Sequence, residues 1–166
     1  MEINQQISKN LNDTFDKTIR LVSGLTEDQI NQKPEDQGWT IGQIVEHILI
    51  CSSGIPDRQT EEITRAFDDK VPAIKQIFLD FNSKYKANIS LLPRHNLYKK
   101  DDILIKLKDC KTNLIVDLKD KDLMLLCKDM EFPQMGFFTR FEWLSFIAVH
   151  IQRHTHQIEG KIAEMK

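Results

Sequence analysis

Five histidines occur in this 166-residue chain, and three have the spacing and surroundings to do chemistry together. His150 and His154 are four residues apart, about one helical turn, so on a helix they share a face. Ile147, Ile151 and Ile158 fall on that same face, which points both imidazoles inward or along a cleft wall. His47 follows Ile44 by three residues and precedes Ile48, again on the buried side of a helix. A buried neutral imidazole must satisfy one donor and one acceptor nitrogen, which is hard to do three times over in an apolar core. A divalent cation resolves the difficulty, because it takes the acceptor nitrogen of each ring while each N–H turns to an outer partner. Three histidines with coordination positions left over suit a reactive metal site rather than a closed structural one.

The remaining candidates read differently. His156 projects roughly 160° away from His154 and belongs on the rim or surface. His95, in the stretch LLPRHNLYKK, reads as an exposed loop residue. Cys51 lies one turn after His47 and can face the same site, but an isolated cysteine on an apolar helix face is usually core packing. Glu46 is next to His47 and so diverges from it by about 100°, a poor position for a general base. Gln157, one turn beyond His154, is placed to orient a ligand or water, although an amide cannot act as a base. Trp39, Phe138 and Phe141 read as core, with walls of the cleft as the alternative.

The elements that must position these residues are helical. Ile3, Ile7, Leu11, Phe15, Ile19 and Val22 recur at steps of four and three, which predicts a first helix ending at Gly24, followed by a polar loop with Pro34 and Gly38. Thr40 and Gln43 have the spacing of a capping box and open a second helix, with Ile41, Ile44, Val45, Ile48 and Leu49 on its apolar face. Ser52, Ser53 and Gly54 end it. Residues 54 to about 100, with Pro56, Pro72 and Pro93, read as a long crossover holding short helical pieces near 59–67 and 73–89. A third helix from Asp101 or Asp102 buries Ile103, Leu107, Cys110, Leu114 and Leu118. Residues 119–136 form a connection with a turn or two of helix. The fourth helix opens on a second capping-box pair, Thr139 and Glu142, and runs through Trp143, Ile147, Ile151, Ile158, Ile162 and Met165. The expected fold is all-α: a four-helix bundle with one long crossover between helices 2 and 3, forming a single domain over residues 1–166. The crossover lets the fourth helix lie beside the second, which is what brings His47 to His150 and His154.

Composition bounds the function. Hydrophobic residues make up 40% and charged residues 29%, as in an ordinary globular protein. A formal net charge of −2 provides no basic footprint for nucleic acid. No apolar run approaches the ~20 residues of a membrane span, and the N-terminus lacks the layout of a signal peptide. Three scattered cysteines with no CxxC pair suit a reducing compartment, so the cytoplasm is expected.

Two segments carry a resemblance. The stretch MGFFTRFEWLSFIAVHIQRHTHQI resembles the last-helix signature of the DinB/YfiT-like proteins, with His150, Arg153-His154 and Gln157-Ile158 in the matching places. The stretch GWTIGQIVEHIL is similar to the second-helix signature, with Trp39 eight residues ahead of His47. Many relatives have glycine where this chain has His156; the three ligand positions are intact. The resemblance implies a divalent ion on His47, His150 and His154 (zinc, nickel, iron or manganese in different members, zinc or nickel first here), and homodimers are common among the relatives. Some relatives transfer or isomerise with a low-molecular-weight thiol, bacillithiol or mycothiol, and many are labelled only as metal-dependent hydrolases.

The leading expectation is therefore a metal-dependent enzyme acting on a small molecule, as a bacillithiol-type thiol transferase or a hydrolase. Without a convincing general base, the balance tips toward thiol chemistry that survives replacement of Cys51. The alternatives are a non-catalytic metal-dependent binding or stress-response bundle, and a metal-free bundle whose histidines simply pack.

Overall fold

In a computed structural model, which describes residues 2–165, the chain is mostly helical. Six α-helices are found among the described residues: α1 (Glu2–Ser23), α2 (Glu27–Asn31), α3 (Ile41–Cys51), α4 (Val71–Phe78), α5 (Lys100–Leu118) and α6 (Arg140–Glu164). A two-stranded antiparallel ribbon joins β1 (Thr60–Glu61) to β2 (Leu126–Cys127), with Thr60 opposite Cys127. None of these helices is long and apolar enough to cross a membrane.

Helix ends follow local chemistry. Thr40 caps α3 by accepting from the Gln43 N–H at 3.1 Å, while Gln43 Oε1 accepts from the Thr40 N–H at 3.0 Å. Thr139 and Glu142 repeat the arrangement at the start of α6. The same reciprocal pairing, which satisfies N–H groups that have no partner inside the helix, starts α2 at Thr26 and Gln29. That short helix lies in the segment read as a loop. Its Ile30 is fully buried, and packing rather than periodicity makes it visible.

The apolar faces meet in two clusters. In the larger one Leu11 and Phe15 of α1, Ile44 and Ile48 of α3, Leu107 of α5 and Ile147, Ile151 and Ile158 of α6 bury their side chains against one another. Each such side chain contributes about 1.5–3 kcal/mol on burial. The smaller cluster, Ile74, Cys127, Phe138, Trp143 and Val149, lies between α4, the ribbon and another side of α6. Helix α6 thus packs against α1, α3 and α4, and is buried on more than one face. A helix in that position carries its imidazoles into the interior.

The long connection differs from its expectation in detail. Residues 59–67 hold strand β1 instead of a helical piece, because Gln59–Glu61 pairs with the Leu126–Lys128 segment: the Lys128 N–H donates to Gln59 O at 2.8 Å. The β-branched Thr60 suits extended backbone in such a pairing. Helix α4 stops at Phe78, short of 89, because Arg153 of α6 draws the carbonyls of Phe78 (3.2 Å), Asp80 (2.9 Å) and Ser83 toward itself. Residues 119–136 contain β2 and turns, with no helical turn beyond α5. The Glu142 carboxylate ties this region to α6: it accepts from both Arg65 guanidinium nitrogens at 2.7 Å and from the Lys70 N–H at 2.7 Å.

Candidate metal centre

Helix α3 brings His47, and α6 brings His150 and His154, to one point between them. The three residues are buried, at 3%, 7% and 7% exposure. His47 Nε2 lies 3.2 Å from His150 Nε2, and His154 Nε2 lies 3.0 Å from the same atom. His47 Nδ1 donates to the Leu91 carbonyl at 2.7 Å, and His154 Nδ1 donates to Gln157 Oε1 at 2.7 Å. Both acceptors lack a proton of their own, so these two rings must carry theirs on Nδ1. Their Nε2 lone pairs therefore face inward unprotonated.

This arrangement tests whether a metal would fit. His150 can place one proton on Nε2 and serve only one of the two facing lone pairs, and its buried Nδ1 has no hydrogen-bond partner. Without a cation the cluster is left short of protons at its centre. A divalent ion accepts all three lone pairs at once. With metal–nitrogen distances of about 2.0–2.1 Å, a tetrahedral set has N···N edges of about 3.3 Å, close to the separations found. Burial keeps the rings neutral and ready to donate: it lowers the pKa of His47, takes His154 down to about 4, and takes His150 well below the usual value.

Cys51 is the fourth member of this group. Its sulfur and one ring nitrogen each of His47 and His150 lie within 4.8 Å of one another, and Sγ is 3.8 Å from His47 Nε2. Cys51 does face the site, as its position one turn after His47 allows. Of the aromatic candidates, Trp39 does border the site, its ring 5.0 Å from that of His47. Phe138 instead stacks on Phe132 at 4.7 Å in the smaller cluster, and Phe141 meets Phe67 at 5.1 Å. Both fit the core reading, and the second aromatic wall of the site is Phe146, 5.3 Å from the His150 ring.

Residues placed outside the centre stay outside. His156 is exposed and stacks on Phe81 at 4.1 Å. His95 is exposed and pairs with Glu46 at 2.7 Å. Glu46 is held further by the Tyr98 hydroxyl at 2.5 Å and the Arg94 N–H at 2.9 Å, and burial opposes these hydrogen bonds, which keep its pKa below the usual carboxylate value.

Residues 10–158 match the family model of the DinB superfamily. The chain belongs to the DinB superfamily. It is 24% identical over 150 residues to the uncharacterized protein YuaE of Bacillus subtilis (strain 168), a match covering 86% of this chain and 89% of that one. No solved structure matches it. A DinB-superfamily chain with a His/Cys/His group compatible with metal binding bears out the family resemblance read from the two helix segments. The Leu91 carbonyl and Arg153 were not legible there. Leu91 contributes backbone from the crossover, and no side-chain type marks it. Arg153 stands next to His154, and only the fold reveals that it is buried and donating to three carbonyls.

Proposed function

We propose that this chain is a single-domain, four-helix-bundle member of the DinB superfamily, with α1, α3, α5 and α6 as the bundle. In this reading it is a cytoplasmic metal-dependent enzyme that transfers a low-molecular-weight thiol to a small electrophile. His47, His150 and His154 hold one divalent ion, and nitrogen-rich donors of this kind suit zinc or nickel. The observation that carries the reading is the convergence of three buried Nε2 atoms, two of which have their ring protons engaged elsewhere.

An ion held there supplies Lewis acidity, lowering the pKa of a coordinated thiol or water toward neutrality. The chain's own residues do the rest. Leu91 O and Gln157 Oε1 fix the tautomer and orientation of His47 and His154, as outer partners of metal-binding histidines do. Trp39 and Phe146 exclude water from one side of the rings. Glu46, the carboxylate nearest in sequence, is occupied by Tyr98, His95 and the Arg94 N–H, which favours a reaction needing no protein base. Three cysteines free of disulfides suit the reducing compartment.

The test is turnover by metal-loaded protein against a panel of electrophiles with bacillithiol-type thiols. The expected result is a rate that saturates with thiol and is lost on chelation. Equal hydrolysis of esters or amides with no thiol present would replace the transferase reading with a hydrolase. Silence across both panels would favour a binding role.

A further inference from the structure

We infer that Cys51 is a fourth protein donor to the ion, converting the three-histidine site into a His3Cys site. The inference rests on the three-histidine reading and adds a residue to it.

His47 and Cys51 are four residues apart on α3, so they project from successive turns of the same face. Cys51 Sγ is 3.8 Å from His47 Nε2 and 3.9 Å from His47 Nδ1. Nδ1 is engaged by Leu91 O, so Nε2 is the nitrogen through which His47 can share an ion with Sγ and His150. With metal–sulfur and metal–nitrogen distances of about 2.3 Å and about 2.0–2.1 Å, a tetrahedral N···S edge is about 3.6 Å. The separation from His47 is near that value. The other two cysteines behave as packing residues: Cys110 Sγ donates to Ser52 O at 3.2 Å, and Cys127 is fully buried in the smaller apolar cluster. Cys51 is set apart by what it meets, ring nitrogens converging on a common point.

Binding follows simple proton balance. The Sγ–H bond breaks, the proton goes to solvent, and the thiolate pair is donated to the ion, so one proton is released for each ion bound. A sulfur donor shifts selectivity toward softer ions and away from manganese and magnesium. A small ligand then reaches the ion as a fifth donor or by displacing Sγ.

The experiment uses the full-length protein loaded with Co(II) or with Zn(II), together with Cys51→Ser and Cys110→Ser. Wild type is expected to bind one Co(II) and show a near-ultraviolet sulfur-to-cobalt charge-transfer band. Cys110→Ser should keep the band, and Cys51→Ser should lose it. Zinc X-ray absorption of wild type should contain one sulfur neighbour at about 2.3 Å beside nitrogen at about 2.0 Å. If Cys51→Ser does not fold, the wild-type cobalt and zinc spectra decide alone. One bound ion with a nitrogen- and oxygen-only spectrum overturns the role of Cys51 and leaves the three-histidine reading intact. A band that disappears in Cys110→Ser instead also overturns it. Failure of wild type to bind either ion overturns both.

Discussion

Two of the three central imidazoles have one nitrogen fixed from outside, and the third has none. Leu91 O and Gln157 Oε1 hold His47 and His154, while His150 Nδ1 is buried without a partner. His150 is also the middle member, within 3.2 Å of both neighbours. Its removal should therefore do the most harm. His150→Ala is expected to lose high-affinity metal binding while His95→Ala keeps it, as measured by elemental analysis after dialysis. Full occupancy in His150→Ala would refute the ligand set. Gln157→Leu tests the outer contact: it should weaken metal affinity by about 10–100-fold. Because Gln157 is exposed, the melting temperature of the metal-free protein should barely change. An unchanged titration curve would mean that Gln157 orients nothing. These histidines were legible because residue type, period and apolar neighbours all agree on two helices. The placement of Cys51 on the face of His47 was legible too; which nitrogens its sulfur meets was not, because periodicity gives a helix face and no distances.

At the scale of elements, the site depends on a segment that contributes no ligand. The stretch around the 3-10 turn Ile89–Leu91 and on to Tyr98 packs over α3: the Leu91 carbonyl accepts from His47 Nδ1–H, and the Tyr98 hydroxyl donates to Glu46. Gly42 makes the approach feasible: a Cβ there would stand 2.3 Å from Tyr98 Cδ2. Tyr98 has little room to yield, since its N–H donates to Asn31 Oδ1 at 2.8 Å and its hydroxyl is held on Glu46. In an unobstructed helix Gly→Ala stabilises by roughly 0.5–1 kcal/mol. Overpacking costs about 1–3 kcal/mol, so the clash should win. Gly42→Ala is expected to lower the denaturant midpoint and also to weaken metal binding, by shifting the segment that orients His47. A variant as stable and as tight as wild type would show that the segment moves freely. The four long helices were legible because 3.6-residue periodicity and capping boxes recur over many residues. The ribbon was not. Two-residue strands carry almost no periodic signal, and β1 is extended because a partner 67 residues later pairs with it.

For the molecule as a whole, the same buried histidines couple stability to pH and to metal. Burial lowers the pKa of all three, His154 from 6.5 to about 4. Below pH 6.5 the unfolded chain therefore binds more protons than the folded one. Stability contributed by these residues is complete above that value and is lost as pH falls toward 4. His154 alone accounts for about 3 kcal/mol at one pKa unit per 1.36 kcal/mol, a sizeable part of the roughly 5–15 kcal/mol of a typical domain. Glu46, whose ordinary value is 4.5, loses its contribution only below that pH, so the interval from 6.5 to 4.5 isolates the histidines. A metal that binds only the folded state adds stability by mass action, about 4.1 kcal/mol at a thousandfold excess over Kd. Protons compete for the same Nε2 atoms, so this increment should shrink as pH falls. The large apolar cluster does not depend on the ion, because α1, α3, α5 and α6 pack through aliphatic and aromatic side chains. Chelation at pH 7.5 and 25 °C is thus expected to lower the melting temperature and leave helical circular dichroism unchanged. Repeating the melts at pH 6 and pH 5 should lower the chelated protein progressively and narrow its gap from the zinc-loaded protein. If chelation at neutral pH abolished the helical signal, the ion would be holding the helices together, and the apolar core would not be sufficient to do so.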